Sequence, residues 1–249
     1  MAGDVVRTMR SRFVIPNQSI YEESSTAKHS LGDCCALPGG RIFTYCKNGA
    51  VALTDGLVVQ GAVPLPNHLN QTVAATAAAG ATRISLTPGA TGAAVNYYSE
   101  GYLHFNEAAP EGTYYKVKSH LAITASVAFW VNLYDPLVKA ATITTSYWTL
   151  TKETHDSVVV LPSTGTPTSK IVGVPIIDVT ASYYFWAQVA GPCAVLGQGT
   201  LVVGNLVGPG GTAAGSVGPR TAYTSPIIGE VIQVNASTEF SLIFLKISA

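Results

Sequence analysis

The sequence predicts an all-β protein, an antiparallel β-sandwich or β-barrel with an extended N-terminal arm and little helix. Two observations carry that expectation. Apolar residues recur with a period of two rather than the helical period of about 3.6. Short apolar runs also follow one another at about the 8–12 residue spacing of a sandwich or barrel, with turn-forming residues between them. The 249 residues suffice to bury a core in one large all-β domain or two smaller ones.

Residues 1 to about 40 mix hydroxyls, charges and "LGDCCALPGG" without clean alternation, so they read as an arm laid over a surface. A strand "RIFTY" follows. The segment "NHLNQTVAATAAAG" is the one helix candidate, with Asn67 as cap and Gly80 as stop, set against an extended linker. Beyond it the alternation is plain. "GYLHFN" sets Leu103 and Phe105 against Tyr102 and His104, and "TYYKVKSH" sets Tyr115 and Val117 against Lys116 and Lys118.

Further strands are expected in "ATRISLT", "SVAFWVNLY", "ATITTSYWTLT", "DSVVVLP", "SKIVGVPIIDV", "YYFWAQVA", "TLVVGNLV", "IIGEVIQV" and "EFSLIFLKIS". Turns are expected at Pro88-Gly89, Pro110-Glu111-Gly112, Asp135-Pro136, Gly165-Thr166-Pro167 and Gly191-Pro192. The stretch 207–222, "VGPGGTAAGSVGPRTA", has the composition of a long flexible loop. The organisation reads as an arm and first strands over 1–60, a β-rich middle over 61–165 and a β-region over 166–249, the last two able to form one continuous domain.

Charged residues make up only 11% of the chain, against about 25% in an average soluble domain. A surface so poor in charge is typical of one that is covered in the working state. Lys and Arg number 14, as do Asp and Glu, so the basic excess of a nucleic-acid binder is missing. No run of about 18 apolar residues predicts a membrane span, and no apolar segment follows the first arginines; synthesis and folding in a bacterial cytoplasm is the expectation. Cys34, Cys35, Cys46 and Cys193 include no C-x-x-C and read as small buried fillers.

Patterns for catalysis, cofactor or metal binding are not found. Ser216 has Ala214 where a nucleophile elbow needs glycine, and "GQGTLVVG" lacks dinucleotide-loop spacing. Glu100, Glu107 and Glu111 read as solvated turn carboxylates rather than a glycosidase pair. "KETHDS" reads as a polar loop rather than a metal site. The expectation is therefore a protein that is not an enzyme and uses no cofactor or metal.

The aromatics occur in pairs, Tyr97-Tyr98, Tyr114-Tyr115 and Tyr183-Tyr184. Neighbours on a strand face opposite sides, so one of each pair enters the core and the other meets solvent, ligand or protein. A protein interface is favoured over a carbohydrate platform, because tyrosine buries much area while keeping a polar tip. The interface candidates are Arg7, Arg10, Arg12 and Phe13 in the arm, Arg41, Phe43 and Tyr45 in "RIFTY", and Tyr97, Tyr98, Tyr183 and Trp186. The arm and "RIFTY" are chosen because they lack a self-contained alternating core; the alternative is that they pack on their own barrel.

The segments "GGRIFTYCKNGAVALTDGLVVQG", "AAGATRISLT", "GYLHFNEAAPEGTYYKVKSH", "VNLYDPL", "VGVPIIDVTASYYFWAQVAGPCAVL" and "IIGEVIQVNASTEFSLIFLKI" resemble virion proteins of tailed bacteriophages, in particular capsid decoration, or cement, proteins. The resemblance spans roughly 40–249. It implies a β-rich homo-oligomer, dimer or trimer, on the outside of the head, with the major capsid protein as partner and neither nucleic acid nor membrane. With that partner, the arm and first strands over 1–60, which lack a self-contained alternating core, are read as the capsid-contacting part. A tail, baseplate or fibre component with receptor or carbohydrate binding is the alternative.

Overall fold

The computed structural model describes residues 16–247; Arg7, Arg10, Arg12 and Phe13 lie outside the described residues. The chain is all-β, as two curled antiparallel sheets. Its strands are β1 (Cys34–Leu37), β2 (Arg41–Lys47), β3 (Val59–Gln60), β4 (Gln71–Thr72), β5 (Arg83–Leu86), β6 (Tyr102–Glu107), β7 (Tyr114–His120) and β8 (Phe129–Leu133). They continue as β9 (Tyr147–Thr151), β10 (Val159–Val160), β11 (Ile171–Pro175), β12 (Tyr184–Leu196), β13 (Leu206–Pro209), β14 (Val217–Pro219), β15 (Gly229–Gln233) and β16 (Phe240–Lys246).

Two compact units divide the chain, and the division is nested. One takes the chain through Gly61 and again from Ser157; the other is Ala62–Asp156. The first unit therefore combines what the sequence suggested as separate first and last regions. Strands β3 and β10, on either side of the inserted unit, pair with Val159 opposite Gln60. The insertion thus leaves and re-enters at neighbouring points of one sheet, as chain ends that lie close together allow.

In the first unit ten strands are built around β12. β12 pairs with β2 from Tyr184 to Ala190, with β11 at Ala187 and Gln188, and with β16 from Ala190 to Leu196. The expected turn at Gly191-Pro192 is instead strand interior. A register shift falls between Gln188 and Ala190, and the buried Gln188 amide donates to the carbonyls of Ala190 (3.0 Å) and Pro192 (2.9 Å). That side chain satisfies carbonyl groups that the bulged ladder leaves over.

The segment 16–33 lies over this sheet, tied down by Gln18. Its Oε1 accepts from the Tyr45 hydroxyl (2.8 Å), its Nε2 donates to the carbonyls of Glu22 and Tyr184, and its own carbonyl accepts from Trp186 Nε1 (3.1 Å). The expected arm is present here, and the surface it covers is its own sheet. The expected loop at 207–222 is corrected as well: β13 and β14 form a paired hairpin. Its connection is pinned where Gln198 Oε1 accepts from the Ser216 hydroxyl and from Thr212 N–H. The predicted strand "TLVVGNLV" is strand only from Leu206 onward. All four cysteines are buried and none of them forms a disulfide, and burial pushes the Cys193 thiol up to about 12, as fits small apolar fillers.

The inserted unit is a six-stranded sheet in the order β4-β9-β6-β7-β8-β5. Leu103 and Phe105, Tyr115 and Val117, Val131 and Leu133, Trp148 and Leu150, and Ile84 and Leu86 all turn to one core, as alternation requires. The helix candidate is corrected: Pro66–His68 form a single 3-10 turn, and Gln71–Thr72 are already strand. Threonines and the lack of an apolar helical face leave the alanines nothing to pack a helix against.

Buried in this unit, Tyr98 joins two histidines. His120 Nε2 accepts from the Tyr98 backbone N–H (3.0 Å) while its Nδ1 donates to the Leu121 carbonyl (2.7 Å). His68 Nε2 donates to the Thr91 carbonyl (2.8 Å), leaving Nδ1 to accept from the Tyr98 hydroxyl (2.5 Å). The backbone N–H facing Nε2 holds the His120 ring neutral, and burial lowers the pKa values of both histidines below the ordinary 6.5. Protonation is favoured in the unfolded chain, so stability is present above that value and lost as pH falls below it. Thermal unfolding monitored between pH 7.5 and 5 is expected to show a falling Tm below about pH 6.5, weakened in His120→Gln, whose side chain does not titrate.

Candidate protein-binding face

The outer face of the first unit's sheet carries an apolar stripe. On β16 the residues Ser241, Ile243 and Leu245 point inward and are buried, while Phe240, Leu242 and Phe244 stand outward at 42%, 36% and 39% exposure. β16 is paired on both sides, by β12 and β15. The stripe therefore offers side chains alone, with its backbone groups already satisfied. Register places Leu196, Ala194 and Pro192 of β12 beside Phe240, Leu242 and Phe244 in turn, so the stripe widens across two strands. At its far end Lys246 Nζ meets Glu230 Oε2 at 2.5 Å, closing the apolar surface with an ion pair.

Phe240 also borders a groove of about 310 Å³ lined by Tyr21, Arg41, Asp55, Pro192 and Ala194 among others. Gly56 explains how the ring comes so close. It has a φ of +67°, and a Cβ there would meet the Phe240 ring at 2.4 Å. Glycine is required both for the left-handed turn and for the contact. The groove thus joins an exposed tyrosine, a guanidinium and a carboxylate to the apolar stripe. That composition, an apolar centre with a polar, aromatic and arginine-bearing rim, is the anatomy of a protein interface.

The structure separates the expected interface residues. Arg41 lies at the groove, where its Nε donates to the Pro38 carbonyl at 3.4 Å. Phe43, Tyr45 and Trp186 are fully buried in one cluster with Ile20 and Cys35, so their packing on their own sheet, the alternative, is what the described chain shows. Tyr45 and Trp186 rings meet edge-on at 4.9 Å. Tyr183 is half-buried against the core cluster of Phe185 and Val172. In the inserted unit Tyr98 is buried and Tyr97 half-buried, with Lys152 Nζ 4.2 Å from the Tyr97 ring centroid. Of the tyrosine pairs, Tyr114-Tyr115 divides cleanly between solvent and core.

Sequence reasoning missed Phe240, Leu242 and Phe244. A usable signal was present: "EFSLIFLKIS" is apolar at both parities, and a strand apolar on both faces has a second face to cover. The carboxylates of "KETHDS" form local pairs, Lys152 with Asp156 at 3.0 Å and His155 with Glu153 at 2.9 Å. Among the described residues no group of three or more His, Cys, Asp or Glu is placed to hold a metal ion. No helix of the described chain is long and apolar enough to cross a membrane. No protein family, characterised protein or solved structure matches this chain.

If the stripe lies outside the core, its parity decides the cost of substitution. Phe244→Ser is expected to change stability by less than about 1 kcal/mol, whereas Ile243→Ala, one residue earlier on the buried side, costs about 2–4 kcal/mol. Urea unfolding of both variants measures the difference.

Proposed function

We propose that this chain is a structural protein of a tailed-phage head, a decoration protein that binds the outside of the shell and ties capsomers together. The observation that carries the reading is the outward row of Phe240, Leu242 and Phe244 on a strand flanked by β12 and β15. A charge content of 11% fits a protein whose surface is partly covered in its working state. The resemblance supports the choice of partner. Three of its segments, "GGRIFTYCKNGAVALTDGLVVQG", "VGVPIIDVTASYYFWAQVAGPCAVL" and "IIGEVIQVNASTEFSLIFLKI", supply β2, β3, β12, β15 and β16 of the sheet that bears the stripe.

Binding in this reading is mechanical. Apolar area removed from water contributes roughly 25 cal/mol per Å² before association costs are subtracted. A stable interface takes about 800 Å² from each partner, more than three side chains supply, so the groove with Tyr21, Arg41 and Asp55 serves as its rim. Repetition over a shell converts modest contacts into avidity. A second copy of the chain is the other partner expected at this face.

Mixing the purified protein with expanded, undecorated heads of the phage that encodes it tests the reading. Saturation at a fixed number of copies per capsomer, with a raised shell-rupture temperature, is the expected result. Leu242→Lys is expected to abolish co-sedimentation while leaving the Tm of the free protein within a few degrees. Heads that take up no protein, or take up Leu242→Lys as readily as the parent, would overturn it. Recovery on tails instead would move the assignment to a tail component.

A further inference from the structure

The outward face of the inserted unit's sheet differs in chemistry from the stripe. Tyr102 on β6, Tyr114 on β7, Trp130 on β8 and Tyr134 just past β8 stand at 39%, 71%, 48% and 42% exposure. Strands β6, β7 and β8 are each paired on both sides, so these rings stand on a rigid, fully hydrogen-bonded platform.

The rings form one pair and two outliers rather than one fused patch. Tyr102 and Tyr114 meet edge-on with centroids 6.1 Å apart. Tyr102 lies opposite Lys116 on one side, and Tyr134 N–H donates to the Lys116 carbonyl at 3.0 Å on the other, setting the two tyrosines about 10 Å apart, two strand spacings. Trp130, four residues from Tyr134, is about 13 Å further along its strand. Polar groups lie among and beside the rings: Asn132, between Trp130 and Tyr134 along the chain, donates its Nδ2 to Ser119 Oγ at 3.0 Å, and His104 and Thr149 lie opposite each other on the side of β6 away from β7.

Charge on this face is unbalanced. Lys116 is paired with Glu100 at 2.7 Å, but among the described residues no carboxylate pairs with Arg83 or Lys118. Arg83 lies over the Trp130 ring at 3.9 Å and fixes its orientation, and Lys118 Nζ is 6.0 Å from the Tyr134 centroid. Two cations thus sit beside two exposed aromatic rings in a chain of zero formal net charge.

We propose that this face binds an acidic polysaccharide, a glycan bearing carboxylate groups. The tyrosine rings and the face of Trp130 not covered by Arg83 accept the C–H faces of sugar rings, the amides and hydroxyls near them pair with sugar hydroxyls, and Arg83 and Lys118 receive the carboxylates. An apolar protein partner would find its rings interrupted by polar groups. A nucleic acid would also stack on the rings, but two unpaired cations release too few counterions to hold a phosphate backbone. The inference does not rest on the head-decoration reading.

The full chain is run in native gels containing polygalacturonate, hyaluronate or alginate, with dextran as the neutral control and oligo(dT) tested by mobility shift. Retardation by at least one carboxylated polysaccharide and not by dextran is expected, lessened by salt. A Tyr114→Ala, Trp130→Ala double variant is expected to lose affinity about ten-fold with an unchanged Tm, since both side chains are exposed. Tryptophan fluorescence gives a second readout: Trp148 and Trp186 are fully buried, so quenching by the bound polysaccharide reports Trp130. No retardation by any of the three polyanions, equal retardation by dextran, tighter binding of oligo(dT), or full affinity in the double variant would each overturn the proposal.

Discussion

Strand β12 has to make ladder hydrogen bonds on both of its edges while passing through Gly191-Pro192, and the first unit is arranged around that demand. Proline has no N–H to give and glycine has no side chain to pack, so an unbroken ladder is not available there. The register shifts before Ala190, and the Gln188 amide donates to the Ala190 and Pro192 carbonyls there. This lets one thirteen-residue strand serve β2 and β11 in its first half and β16 in its second. Gly191 adopts a φ of +85° and brings its backbone against Gly40 and Arg41, where a Cβ would come within 3.0 Å. The close approach positions Arg41 at the edge of the groove.

The outward stripe follows from the same pairing. Because β16 is enclosed between β12 and β15, both its faces lie on a continuous sheet, and the face turned away from the core still carries Phe240, Leu242 and Phe244. A contact made there has no unpaired backbone to extend, so it depends on side-chain fit, which favours one defined partner over edge-to-edge association. The inserted unit presents the opposite arrangement, with rings set apart by amides, hydroxyls and cations. Two sheets of similar construction thus offer different chemistry to their surroundings, one apolar and one suited to hydrated ligands.

The fold class was legible because strand alternation is a local signal. "GYLHFN" and "TYYKVKSH" placed Leu103, Phe105, Tyr115 and Val117 inward, and the structure buries all four. The hairpin β13–β14 was hidden because its glycines suit a loop as well as a tight paired turn, and the acceptor that decides between them, Gln198 Oε1, comes from another segment. The same holds for Gly191-Pro192, a turn by local chemistry and a strand by virtue of Gln188. Phe43, Tyr45 and Trp186 were legible as important aromatics but not as core, because the cover they share is supplied by Gln18 and Ile20 in the irregular arm. The stripe on β16 was legible only as apolarity at both parities.

The outer face of β16 is the proposed contact surface. Hydroxyl-radical footprinting of the protein, free and bound to expanded heads, tests it most directly, since phenylalanine and leucine side chains are labelled in proportion to their exposure. Phe240, Leu242 and Phe244 are expected to lose most of their labelling on binding, with Tyr21 protected at the groove and Tyr114 and Trp130 unchanged. Unaltered labelling of Phe240, Leu242 and Phe244 in the bound protein would contradict it.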